Sequence, residues 1–329
     1  MQKNAKYVAA CLGVLFGVGL ASASPQALAD EFPSKPLRLI VPYVPGGPTD
    51  LIARIIAVPL ASALKQPVIV ENRPGASGAI GTNLVAHAPP DGYTLLLSNV
   101  GDTVTVALGV KVPYDYQRDL SAVSLLGLTP FVLVVSPALP ATTVKGLIQY
   151  AKENPKSINF GSAGTGSSSQ LAGELFKSSA SFQATHVPYK GQSDATVGLV
   201  QGQLTFMFAN PVNALPLIQA GTLRAIAVSG KEPFSALPQV PTVAAAGLPG
   251  YEVSAWFGLM TTGGVPAATV DRLNKEVQII LAMPDVRDRL EKLGVQAQGN
   301  TPKEFDALIA SEISRWTKVV HDADIHVTN

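Results

Sequence analysis

Two glycine- and hydroxyl-rich loops are where this chain has the residue types to do chemistry. Pro45-Gly46-Gly47-Pro48-Thr49-Asp50 and Gly161-Ser162-Ala163-Gly164-Thr165-Gly166-Ser167-Ser168-Ser169 each follow an apolar run and precede a helical pattern. A helix that starts directly after a strand end presents unpaired backbone N–H groups and a partial positive charge, and small anions bind there. The glycines permit positive φ and close backbone approach, and Thr49 or Asp50 has the side chain of a helix cap. One such loop alone reads first as a tight strand-to-helix turn with a good cap. The second loop carries more hydroxyls and backbone donors than a turn needs, which favours a ligand. Neither loop supplies the lysine that a phosphate-binding P-loop requires, and the dinucleotide-like start Gly164-Thr165-Gly166 lacks its third glycine, with serine at Ser169. A carboxylate, small and singly charged, suits helix ends and hydroxyls better than a nucleotide does.

Catalytic patterns are sparse. No Gly-x-Ser-x-Gly nucleophile elbow occurs. His87, His186, His321 and His326 show no zinc-ligand spacing, so no metal and no cofactor is expected. His186 ends a strand pattern and reads first as a structural histidine. Asp50 and Asp102 form a conceivable acid–base pair, but aspartate at a helix start is more often a cap. An exported hydrolase or lyase acting on a carboxylated substrate is the alternative these residues leave open, with His186 or Asp102 as its base. Catalytic residues are otherwise not expected.

Stepping outward to what positions the loops, residues 1–29 carry Lys3 and Lys6, an apolar stretch from Tyr7 to Ala21, and Ala27-Leu28-Ala29 ahead of Asp30. This is the pattern of a cleavable signal peptide. Its removal takes away Cys11, the single cysteine, so no disulfide or thiolate chemistry is expected in the mature protein. The charge balance, 24 Lys+Arg against 23 Asp+Glu, becomes 22 against 23 once Lys3 and Lys6 are gone. A near-neutral surface argues against nucleic acid and anionic membranes as partners. About 300 remaining residues are enough for a single core to divide in two.

Strand patterns at Leu37 to Tyr43, Val68 to Glu71, Thr94 to Ser98, Phe131 to Ser136, Ile158 to Gly161, Thr185 to Pro188, Leu204 to Phe208 and Leu223 to Ser229 alternate with amphipathic helical stretches, including Leu51 to Leu64, Val144 to Glu153 and Ser169 to Ser178. Such alternation predicts parallel sheets covered by helices, with the ligand beyond the strands' carboxyl ends. Charge-rich helices follow at Thr269 to Met283, Asp285 to Leu293 and Pro302 to His321, the last started by the capping box Thr301-Pro302-Lys303-Glu304.

The segments Glu31 to Arg38, Val41 to Asp50, Val70-Glu71-Asn72-Arg73-Pro74-Gly75, Pro90-Asp91-Gly92-Tyr93-Thr94-Leu95, Phe160-Gly161-Ser162, His186-Val187-Pro188-Tyr189-Lys190-Gly191 and Leu237-Pro238-Gln239-Val240-Pro241-Thr242 resemble, in order, the Bug family. These are extracytoplasmic solute-binding receptors of tripartite tricarboxylate transporters. The resemblance implies a periplasmic α/β protein of the type II binding-protein fold, two α/β lobes with a ligand cleft between them. It implies lobe 1 from residues 30–130 plus 254–329, lobe 2 from 131–253, and hinges near Thr129 to Phe131 and Gly250 to Val253. It also implies a monomer that is not an enzyme, a small organic acid as ligand (a di- or tricarboxylate or an aromatic carboxylate) and the membrane subunits of the transporter as partner. A sensory receptor for the same ligand is equally compatible. In the family the carboxylate is held by the loops matching Tyr43 to Asp50 and Ser162 to Ser167. The expected ligand-binding residues are Tyr43, Pro45, Gly46, Gly47, Thr49, Asp50, Ser98, Asn99, Ser162, Ala163, Gly164, Thr165, Gly166, Ser167, His186 and Asn210, with Phe208, Trp256 and Phe257 as apolar walls. Asp102 departs from the small neutral residues that many relatives carry there. It is expected to cap a helix or to favour a ligand bearing an amine or hydroxyl. Arg73 is expected in a structural bond.

Overall fold

The computed structural model describes residues 32–326, so the expected signal peptide lies outside the described residues. Among the described residues, no helix is long and apolar enough to cross a membrane.

The chain runs β1 (Leu37–Val41), α1 (Pro48–Leu64), β2 (Val68–Asn72), α2 (Ala79–Ala86), β3 (Thr94–Asn99), α3 (Val100–Ala107), β4 (Leu120–Pro130), β5 (Val132–Val135), α4 (Val144–Glu153), β6 (Asn159–Ser162), α5 (Ser168–Ala180), β7 (Thr185–Pro188), α6 (Gln192–Val200), β8 (Phe206–Ala209), α7 (Pro211–Gln219), β9 (Arg224–Val228), β10 (Ser254–Thr262), α8 (Ala267–Ala282), α9 (Pro284–Lys292), β11 (Gln296–Ala297) and α10 (Pro302–Asp322). Two sheets result. One has the order β11-β4-β10-β3-β1-β2, the other β7-β6-β8-β5-β9.

The sheets are mixed, where the alternating pattern predicted parallel ones. β1 pairs in parallel with β2 and β3, and β6 with β7 and β8. β10 runs antiparallel between β3 and β4, and β5 antiparallel between β8 and β9. The two long strands β4 and β10 escape the sequence patterns: both are buried almost throughout and so show no apolar–polar alternation, and serines, threonines and glycines interrupt the apolar runs that mark the shorter buried strands. Each also contains a glycine that packing demands. A Cβ at Gly127 would stand 2.6 Å from Val295, and one at Gly258 would strike the Phe305 ring.

The chain leaves the first sheet after β4 and returns to it at β10, and one serine joins the two passages. Ser229 Oγ accepts from the Phe131 amide at 2.7 Å and donates to the Val253 carbonyl, while its own amide donates to the Phe131 carbonyl and its carbonyl accepts from the Val253 amide. The second lobe's core is aromatic. Phe176 packs edge-on against Phe182, Phe206, Phe208 and Tyr251. The expected capping box forms at α10, with Thr301 Oγ1 accepting from the Glu304 amide and Glu304 Oε2 accepting from the Thr301 amide.

Candidate functional site

A cavity of about 1030 Å³ is lined from both sheets. Four helices begin at its wall: α1 with Pro48 and Thr49, α3 with Val100 and Gly101, α5 with Ser168, and α7 with Pro211 and Val212. The sequence pointed to the first turns of α1 and α5. The structure adds one more from each sheet, so four sets of first-turn amides and four dipole ends meet one space.

On the first-sheet side a short polar chain forms the wall. Tyr43 OH donates to Asn99 Oδ1 at 3.2 Å, the Gly101 amide donates to the same oxygen at 2.7 Å, and Asn99 Nδ2 donates to Thr49 Oγ1 at 3.1 Å. Asn99 is the N-cap of α3, in a capping box with Asp102. Tyr43, Thr49 and Asn99 all line the cavity. Burial, with the Asp102 charge adding to it, pushes the Tyr43 phenol well above its ordinary range, so it stays a hydrogen-bond donor.

On the second-sheet side Ala163, Thr165, Gly166, Ser167 and Ser168 line the cavity. Much of this loop's donor capacity is used within it. The Ala163 amide donates to Ser169 Oγ at 3.0 Å, the Gly164 amide to Ser162 Oγ at 3.1 Å, and the Gly166 amide to Gln170 Oε1 at 2.7 Å. Ser167 caps α5 by accepting from the Gln170 amide and donates to the Gly164 carbonyl at 2.7 Å. The Gly164 and Gly166 amides are thus engaged in shaping the loop. Gly164 sits at φ 122°, a region that side chains rarely adopt, and its place is 3.2 Å from the Tyr189 carbonyl.

Of the expected binding residues, Tyr43, Thr49, Asn99, Ala163, Thr165, Gly166, Ser167 and Asn210 come together on the cavity. Pro45, Gly46, Gly47, Asp50, Ser98, Ser162, Gly164 and His186 do not line it: Asp50, Ser98 and Ser162 are buried, Pro45 and Gly46 are exposed, and the rest are half-buried. Asp50 is 2 % exposed and braces its own loop. It accepts from the Gly46 amide, Arg54 Nε and Asn72 Nδ2 at 2.9, 3.0 and 2.9 Å. The N-cap of α1 is Gly47, with no side-chain cap, so the cap expected of Thr49 or Asp50 is absent. Ser98 is fully buried and donates to Asp102 Oδ2 at 2.6 Å. Ser162 is fully buried and lies 2.6 Å from His186 Nε2. His186 leans on Phe160, and burial together with the Lys177 charge lowers it to about 4, so its ring is neutral. Of the expected walls, Trp256 and Phe257 line the cavity, while Phe208 belongs to the aromatic core. Arg73 pairs with Glu71 at 2.9 Å, as part of a cluster with Arg38.

Ala76, Ser77, Thr105, Thr129, Asn213, Leu293 and Val295 also line the cavity and were not read from the sequence. Asn210 was expected at the ligand from the family resemblance, with a turn before Pro211 as the competing reading, and no helix start was read there. Asn210 is in fact an N-cap followed by proline in the first turn, which is a helix-start signal. Leu293 and Val295 come from the turn before β11 and carry no local signal. Among the described residues, no cluster of side chains could hold a metal ion.

The family model described as the tripartite tricarboxylate transporter family receptor matches residues 52–325. The chain is 40% identical over 311 residues to the UPF0065 protein in the tcbD-tcbE intergenic region of a Pseudomonas species, covering 93% of each chain. It is 36% identical over 312 residues to protein BugT of Bordetella pertussis, covering 94% of this chain and 96% of that one. Among solved structures, an adipate-bound protein of R. palustris superposes with TM-score 0.76 at 34% identity, covering 90% of this chain and 99% of that one. MatC of Rhodopseudomonas palustris with bound malate superposes with TM-score 0.71 at 36% identity, covering 88% and 100%. With its two α/β lobes and the cavity lined from both sheets, the chain belongs to the receptor family of the tripartite tricarboxylate transporters.

Proposed function

We propose that this protein is a periplasmic solute-binding receptor that captures one small carboxylate between its lobes and delivers it to the membrane subunits of a tripartite tricarboxylate transporter. The observation that carries the reading is the convergence of four helix starts, two from each sheet, on one cavity of about 1030 Å³. The adipate and malate of the solved relatives support a carboxylate as its ligand. In this reading the mature protein is a monomer, lobe 1 comprises 30–130 plus 254–329, and lobe 2 comprises 131–253. The passages joined by Ser229 act as the hinge, and closure is a population shift driven by contacts made only in the shut form. The ligand is held by Tyr43, Thr49, Asn99, Ala163, Thr165, Gly166, Ser167 and Asn210, with the other expected residues shaping their loops.

The enzymatic alternative finds one suggestive pair. Ser162 Oγ and His186 Nε2 have the spacing of a nucleophile and its base. Ser162 is fully buried, however, and also bonds both the amide and the carbonyl of Gly164. A hydroxyl so engaged, beside a histidine that is a weak base, serves the loop rather than a reaction.

A thermal-shift screen of carboxylates tests the reading, since a ligand at 100 times its Kd adds about 2.7 kcal/mol. The expected result is stabilisation by at least one acid that is recovered chemically unaltered, with compaction in small-angle scattering. Failure of every small carboxylate to stabilise the protein, or conversion of the acid, refutes it.

A further inference from the structure

Asp102 is a carboxylate one hydrogen bond behind the cavity wall, and the ligand-holding role described above leaves it unused. It is 4 % exposed. Its Oδ2 accepts from Ser98 Oγ at 2.6 Å and from the Asn99 amide at 3.2 Å, and Ser98 Oγ in turn meets Tyr116 OH at 2.6 Å. Both bonds to Asp102 run to Oδ2, which leaves Oδ1 to carry a proton. Asn99 links this group to the cavity, because the residue whose amide bonds Asp102 also bonds Tyr43, Thr49 and Gly101 through its side chain. Gly101, the next residue to Asp102, itself lines the cavity.

The charges around Asp102 are as telling. The ionisable groups that face it are phenols: Tyr43 from the loop after β1, and Tyr114 and Tyr116 from the segment before β4. No lysine, arginine or histidine from α10, packed against α3, or from any other described element bears on it. Burial, resisted by the bonds from Ser98 and Asn99, pushes its carboxyl up to about 6. The cavity lining is also free of charged side chains among the described residues. An anion entering this space therefore meets one negative group with no cation between them.

We propose that Asp102 makes ligand capture proton-linked: seating a carboxylate against Tyr43, Thr49 and Asn99 draws a fraction of a proton per ligand, and at most one, from solvent onto Asp102, so the receptor binds acids more tightly at low pH than at high pH. This rests on the carboxylate-receptor reading. It also gives the site a charge preference, because neutralising Asp102 offsets one ligand charge and not two.

The test uses benzoate, adipate and malate on the mature protein. If binding raises Asp102 by one unit, the affinity of a bound probe weakens about fivefold between pH 6 and 8.5, where the probe itself stays ionised. Calorimetry at pH 7 in phosphate and in Tris then reports uptake of about 0.4 proton per ligand. Asp102→Asn keeps the cap and abolishes both effects. If that variant fails to fold, the two-buffer measurement on the unaltered protein decides. Binding with a flat pH profile and no proton uptake overturns the proposal and leaves the receptor reading standing, as does a slope retained in Asp102→Asn. If all three fail to bind, the same measurements are made with the remaining acids of the thermal-shift screen, and failure of every one overturns both.

Discussion

Asp50 separates two accounts of the first loop, one in which the aspartate meets the ligand and one in which it holds the loop that does. The structure supports the second. Its side chain is 3 % exposed and paired with Arg54, whose own side chain is 51 % exposed. Burial works against its charge, but Arg54, the Gly46 amide and Asn72 outweigh it and hold the carboxyl below the usual carboxylate range. Replacing Asp50 by alanine removes two bonds from the Gly46 amide and Asn72 Nδ2 to a charged acceptor, each worth about 1.5–3 kcal/mol. The half-exposed arginine pair adds under about 1 kcal/mol after solvent screening. Asp50→Ala is therefore expected to lose about 3–7 kcal/mol in urea unfolding at unchanged m-value, and to bind ligand weakly because Thr49 is no longer held in place. Asp50→Asn keeps the shape but can offer an acceptor to only one of the two donors, so about half of that loss is expected. A group whose folded pKa is depressed stabilises above its unfolded value near 3.9 and loses that contribution as pH falls, so the gap between wild type and Asp50→Ala closes in acid. An Asp50→Asn protein as stable as wild type yet unable to bind any ligand would refute the reasoning, since the carboxylate would then act on the ligand directly.

Two further outcomes follow from the wall and from the histidine. A Cβ at Gly101 would lie 2.9 Å from Asn99 Oδ1 and 3.0 Å from Tyr43 OH, so Gly101→Ala pries apart the polar chain behind the cavity; at least a tenfold loss of affinity with under about 1.5 kcal/mol of stability is expected from calorimetry and urea melts, and intact affinity contradicts it. His186, lowered to about 4 by burial and then Lys177, contributes stability above its unfolded value near 6.5 that is lost as pH falls toward 4; its ring signals in NMR should stay constant from pH 8 to 5.5, and a midpoint above pH 6 shows that the ring is solvated.

Much of the site was legible because helix starts after strands have a local signature. Glycines, a proline and a threonine mark α1 at Pro48, glycines and a run of hydroxyls mark α5 at Ser168, and the cavity touches Thr49 and Ser167. Residue type could not separate Thr49 from Asp50, or Ser167 from Ser162. Which one faces the cavity depends on a half-turn of backbone and on partners such as Asn72 and His186, which are distant in sequence. Short apolar runs such as β1, β3, β5 and β8 were readable, whereas β4 and β10, whose runs are broken by Gly127 and Gly258 and by serines and threonines, were not, and with them went the antiparallel centre of the first sheet. Leu293 and Val295 reach the cavity only because β11 pairs with β4, a contact no local pattern encodes.

A lining without charged side chains also sets how such a receptor can work. Four first turns at about 0.3–1 kcal/mol each give roughly 1–4 kcal/mol toward an anion. Micromolar affinity corresponds to about 8 kcal/mol, so the balance has to come from the ligand's body. The apolar walls, among them Val212, Trp256, Phe257 and Leu293, are placed to supply it. Burying about 150 Å² of apolar surface contributes about 4 kcal/mol. This division has a consequence for release. If the anion is held from both lobes and the apolar contacts need the lobes shut, as proposed above, opening weakens both together. An arginine anchored in one lobe would instead keep its hold on the acid after opening. In the proposed reading, neutral donors shared between two hinged halves would let one conformational change switch the protein from capture to delivery.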